Sequence, residues 1–211
     1  MRRLPDVGES GRTSIAFRSA ILVALFTLAA ISCSSKRCTC PRRETPTSGR
    51  ATVRVGLFTD KQGRHFSEGF SFSRGATTRV YLGADPAEID FFAAVKINSE
   101  GKALGVVYLD QADTTGDFLS VGGGPSEEEG RAAFDSLECV PRSPFHGVVC
   151  PAAPYRVVLV RTKHHRFGKI FVVDTTLSNH LETPDGASCG TCCGQVTFDW
   201  VFQPDGERCF K

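Results

Sequence analysis

Several features that would announce a biochemical class are missing from this chain. Over most of its 211 residues neither sign of charge is in excess. The 25 basic and 23 acidic side chains give +2, but Arg2, Arg3, Arg12 and Arg18 lie in residues 1–32 against only Asp6 and Glu9, so 21 of each sign remain beyond. A neutral chain lacks the electrostatic footprint of a general nucleic-acid binder, and no nucleic-acid partner is expected. No uncharged run reaches the ~20 apolar residues of a membrane-spanning helix. The longest, Ser19 to Ser35, has 17. Gly122-Gly123-Gly124 is followed by Pro125 and no Lys-Ser/Thr, so it is not a phosphate-binding loop, and no H-E-x-x-H zinc motif occurs. No nucleophile elbow, internal repeat or cofactor motif is expected.

What is present reads as one β-rich domain. Hydrophobic residues are 41% and charged residues 23%, ordinary globular values. Phe is abundant at 16, Met and Trp occur once each, and 21 Gly with 11 Pro suit strands joined by turns. A strand pattern starts at Ala51, with Val53, Val55 and Leu57 alternating against polar or small residues. Asp60 to Gly63 reads as a turn. Phe66, Phe70 and Phe72 mark a second strand weakened by Gly69, and Thr77 to Leu82 a third. In residues 89–110, Ile89, Phe91, Ala93, Val95 and Ile97 fall on one face. Asn98 to Gly101 turns the chain, and Val106 and Tyr108 continue the return strand. Residues 110–125 read as loop. A short helix is expected near 126–137, because Ser126 with Glu129 has capping-box spacing and Glu127 to Glu129 put acid in the first turn. Strands return at Tyr155–Thr162, Gly168–Asp174 and Gln195–Phe202. The fold class is therefore mainly β, a β-sandwich (Ig-like or related) with one short helix.

The N-terminus reads as an address. Arginines precede SAILVALFTLAAIS, residues 19–32, which has the length of a signal-peptide apolar region. The run ends Ala29-Ala30-Ile31-Ser32-Cys33, and here the chain resembles the bacterial lipoprotein signal, the lipobox. Ser32 and Cys33 match it well, and Ala30 stands where Leu is usual. The resemblance implies cleavage before Cys33, lipid on Cys33 and anchoring to a membrane of the cell envelope, the outer membrane in a Gram-negative cell given Ser34. It divides the chain into a signal peptide (1–32), a flexible tether (33–50) and a single β-rich domain (51–211). Lys36, Arg37, Arg42 and Arg43 soon after the segment keep an uncleaved anchor open as the alternative. Residues 70–109 also resemble a β-sandwich domain of unknown function in envelope lipoproteins. The likeness is an aromatic strand followed by a hairpin ending at Glu100-Gly101 with a hydrophobic return, and it implies no activity.

Nine cysteines agree with export. Cys33 set aside, Cys38, Cys40, Cys139, Cys150, Cys189, Cys192, Cys193 and Cys209 make an even set of disulfide candidates for an oxidising compartment. VPRSPFHGVV between Cys139 and Cys150 favours a reversal that lets those two meet. One of the last four could instead reach the tether cysteines. Cys189-Gly190-Thr191-Cys192-Cys193 contains a C-x-x-C pair. A redox couple sits at a helix start after a strand, whereas this pair precedes a strand, so structural disulfides are the favoured reading. A thiol-redox enzyme or a metal module remains the alternative, with His180 and Cys209 as the nearest further ligands.

Residues 161–169, RTKHHRFGK, gather Arg161, Lys163, His164, His165, Arg166 and Lys169 at a hairpin tip that could engage a protein, a glycan or anionic lipid. Asp110, Asp113 and Asp117 with Gly116 lack EF-hand spacing, and no metal site is assigned to them. The sequence thus points to an envelope lipoprotein with an interaction or structural domain rather than an enzyme.

Overall fold

The computed structural model describes residues 47–86, 88–97, 103–111, 117–145, 147–190 and 192–210. The expected signal segment, Cys33, Cys38, Cys40, Asp113, Gly116 and the 98–101 turn lie outside them. Among the described residues, no helix is long and apolar enough to cross a membrane.

The elements are β1 (Thr47–Val55), β2 (Phe58–Thr59), β3 (His65–Ser71), β4 (Ala76–Tyr81), β5 (Phe91–Ile97), β6 (Ala103–Gln111), β7 (Asp117–Gly123), α1 (Glu127–Ser136), β8 (Val149–Pro151), β9 (Arg156–Arg161), β10 (Phe167–Ser178), β11 (Leu181–Glu182), β12 (Ser188–Cys189) and β13 (Cys193–Gln203). They form two antiparallel sheets in a sandwich-like arrangement. One has the order β1-β13-β10-β9-β7. The other runs β11-β12-β2-β3-β5-β6-β8, with β4 on the opposite edge of β3.

The sheets meet through side chains of alternating residues. Val196, Phe198, Trp200 and Phe202 of β13 face inward, while Thr197 and Asp199 between them face out. Phe70 of β3 meets Phe198 edge-on at 5.1 Å and Trp200 at 5.6 Å, and Phe72 stacks on Phe202 at 5.3 Å. The many phenylalanines thus fill the gap between sheets, where large rings bury the most apolar area per residue. Glu68 of β3 ties the sheets at their edge: its carboxylate accepts from Arg54 N at 3.1 Å and Arg54 Nη1 at 2.9 Å.

Along β9 and the first half of β10 the five-stranded sheet is covered on both faces. Within residues 167–172, Ile170 and Val172 face the other sheet, and Phe167 and Phe171 face outward against α1 and the chain's end. This is why β9, RVVLVR, is a continuous apolar run rather than an alternating one. Helix α1 starts as expected, with the Ser126 hydroxyl accepting from Glu129 N at 3.3 Å. It lies close on the sheet because Gly130 has no side chain: a Cβ there would stand 2.5 Å from the Tyr155 carbonyl oxygen.

Four expectations need correction. The strand expected from Ala51 begins at Thr47, so residues 47–50 of the expected tether are paired with Phe202 to Asp199 of β13. Residues 117–123 are not loop but β7, paired with β9. Phe118 anchors β7, whose glycines hide its strand character. Ile89 does not join the inward face of Phe91 and Ala93. It is buried before β5 begins, over Gly69, where a Cβ would sit 2.4 Å from Ile89 Cγ2 and 3.0 Å from the Phe92 ring. Gly69 is therefore the floor under two large side chains, not a weak point. Ile97, at the end of β5, is exposed.

Candidate functional site

Among the described residues, two concave surfaces carry the features of a binding site. The first lies on the outer face of the eight-stranded sheet. β2 pairs with β3 at His65 and Phe66, and β5 takes over the same edge at Gly69 and Phe70. Around this handover a groove of about 540 Å³ opens, lined by Leu57, Val80, Leu82, Phe92 and Ala94, with Asp110 at one side. The face follows from register: Ser67 pairs with Val80, Gly69 with Phe92 and Phe92 with Asp110, so these side chains share one side of the sheet. Leu82 and Leu57 stand at the groove 77% and 52% exposed, large apolar side chains left in water.

The second is a smaller pocket of about 280 Å³ at one end of the sandwich, between the β3–β4 turn, the approach to β5 and the β9–β10 turn. Arg74, Lys163, His164 and Arg166 surround Glu88 and Asp90. Arg74 and Glu88 form an ion pair. Burial pushes the Asp90 carboxyl above the usual carboxylate range, opposed by the Phe72 N–H, which donates to Oδ2 at 2.8 Å, and by Lys163, His164 and Arg166.

The six basic residues expected at one tip separate. Thr162 to Arg166 make the turn, and Lys163, His164 and Arg166 line the pocket. His165 is exposed, with φ of 57°. Arg161 faces Asp117 across β9 and β7 as an ion pair, with its guanidinium 5.4 Å from the Phe145 ring. Lys169 is not a surface residue. It is buried, and its ammonium donates to the carbonyls of Phe134 at 2.6 Å and Leu137 at 3.0 Å. Position 169 falls on the outward face of β10 directly under α1, which explains the burial. The helix has acid in its first turn and no base in its last, and Lys169 brings the missing cation to its C-terminal end.

The cysteines are placed structurally. Cys189 bonds Cys193, not Cys192, and both are buried beside Phe58 and Phe66. A bond sealed in an aromatic cluster does not present the exposed thiolate that redox exchange needs, and its sulfurs are not available as metal ligands. Cys139 does not meet Cys150. It opposes Cys209 in an antiparallel bridge, sulfurs 2.7 Å apart, flanked by Val140 N to Arg208 O and Phe210 N to Glu138 O. Cys150 lies buried on β8, and burial pushes its thiol up. Among the described residues no three His, Cys, Asp or Glu side chains converge as a metal site would require. Gly186 to Gly190, GASCG, does have the G-x-S-x-G spacing. Ser188 lies on the two-residue β12 and leads into β13, not on the strand-to-helix turn of a nucleophile elbow.

Neither surface was visible as a unit in the sequence. Phe92 and Asp110, or Arg74, Asp90 and Arg166, converge only through strand pairing.

No protein-family model matches the chain, and no curated protein matches it significantly. Among solved structures, the chain is similar to the Tannerella forsythia apo HmuY analog (TFO), with a TM-score of 0.37 and 12% identity, covering 76% of this chain and 98% of that one.

Proposed function

We propose that the protein is an exported bacterial envelope lipoprotein, lipid-anchored at Cys33, whose sandwich binds a small hydrophobic molecule in the groove beside β3 and β5. The resemblance of Ala29 to Cys33 to a lipobox supports the address. The buried Cys189–Cys193 bond suits a domain facing an oxidising compartment. The groove carries the binding reading: at about 540 Å³ it falls within the roughly 300–1,000 Å³ of small-molecule sites, and it is mainly apolar with few polar groups. Asp110 places one acidic residue at the side of the groove.

The test is titration of the full-length protein in detergent with the fluorescent apolar probe N-phenyl-1-naphthylamine. Leu82→Lys should weaken binding about tenfold, the loss of part of a leucine's burial. Leu177→Lys, which changes an exposed leucine on β10 that does not line the groove, should leave it unaltered. Equal binding by both variants would remove the groove from the account.

A further inference from the structure

The charged pocket at the end of the sandwich calls for a different ligand from the groove. Its chemistry is set by two groups. The Asp90 carboxylate is held in place, its backbone N–H donating to Phe70 O at 2.9 Å and its Oδ2 accepting from Phe72 N. Among the described residues the Phe72 N–H is the one donor to that carboxylate, so Oδ1 keeps its acceptor capacity. Around it stand Arg74, Lys163, His164 and Arg166, with Glu88 committed to Arg74.

A carboxylate surrounded by cations disfavours a second cation as its guest. It suits a neutral donor such as a hydroxyl. The surrounding guanidinium and imidazole groups suit an acid on the same molecule, since planar Arg recognises carboxylate and phosphate in a fork. Phe202 supplies one apolar wall. We infer that this pocket binds a small hydroxylated anion, a sugar acid or sugar phosphate, with hydroxyls on Asp90 and the acid group on Arg166 and His164. The volume of about 280 Å³ suits a single sugar unit rather than a long chain. The raised Asp90 carboxyl supports this, because a half-buried acid kept at a cost to the fold is typical of a binding site.

The experiment is calorimetric titration of the full-length protein in detergent with glucose 6-phosphate and glucuronate, compared with glucose and inorganic phosphate. Both hydroxylated anions should bind more tightly than either comparison compound. Arg166→Gln should weaken them about tenfold, the worth of one charge-assisted contact, and Lys61→Gln, in the turn at the other end of β3, should not. Asp90→Asn should erase the advantage over inorganic phosphate while raising the melting temperature, a combination that a purely structural aspartate would not produce. Glucuronate supplied free or as a hyaluronan tetrasaccharide separates two sources of this chemistry: the better ligand assigns the pocket to a free solute or to the end of a glycan. Absence of binding by both anions, or an Arg166→Gln titration indistinguishable from that of Lys61→Gln, overturns the inference.

Discussion

The Lys169 ammonium donates to the Phe134 carbonyl at 2.6 Å, from a strand to the last turn of the one described helix. Lys169→Met would leave one buried and one half-buried carbonyl without this donor. Hydrogen bonds to charged groups are worth ~1.5–3 kcal/mol, so the variant should lose about 2–3 kcal/mol in chemical denaturation. Arg166→Gln, three residues earlier in the turn, should stay within about 0.5 kcal/mol of the parent. Equal effects would mean that the basic segment acts as one surface patch after all.

The Cys189–Cys193 bond closes a very short loop, so its contribution sits near the low end for disulfides. Cys189→Ala with Cys193→Ala should cost about 2 kcal/mol. Non-reducing peptide mapping should also recover Cys139 joined to Cys209, since the two oppose each other in a bridge. A protein that melts identically reduced and oxidised, and reduces a model disulfide, would instead favour the thiol-redox alternative.

Two aspartates should respond to pH in opposite directions. Asp199 accepts from Arg50 Nε at 2.6 Å and from Arg131 of α1, and the Arg50 hydrogen bond holds its carboxyl below the usual range. Its stabilisation is present above the unfolded value of about 4 and is lost as pH falls through the lower folded value. The parent should therefore out-melt Asp199→Asn at pH 7, and the gap should close in acid.

For Asp90 the folded carboxyl is raised, so the sign reverses. Stability is intact below about 4 and declines as pH climbs through the folded value, because the unfolded chain ionises first. Asp90→Asn should match the parent near pH 3 and melt higher at pH 7. Melting curves across this range read both effects, and a parent more stable than Asp90→Asn at pH 7 would contradict the burial argument.

The strands that alternate were legible in the sequence. The inward Val196, Phe198 and Trp200 of β13 and the Ser126 cap of α1 stand where local pattern puts them. The misread parts have physical causes. β7 carries two glycines in its last positions and looks like loop until β9 pairs with it. β11 and β12 have two residues each, too few for any period. Lys169 looked like part of a basic tip because its neighbours in sequence are basic, yet in a strand alternate residues point to opposite faces, and its face was already covered by a helix. The groove and the charged pocket depend on register between residues tens of positions apart, which local pattern does not carry.

The most direct test of the account is the fate of the N-terminus. Intact mass and membrane fractionation should be measured on the parent and on Cys33→Ala, expressed in a bacterium. The account predicts that the parent lacks residues 1–32, carries acyl mass on Cys33 and partitions with membranes, since more than one acyl chain anchors stably. It predicts that Cys33→Ala loses the acyl mass and either leaves the membrane fraction or stalls unprocessed. A parent that retains residues 1–32 without acyl mass, and a variant held in the membrane as firmly, would contradict the lipoprotein reading and favour an uncleaved anchor.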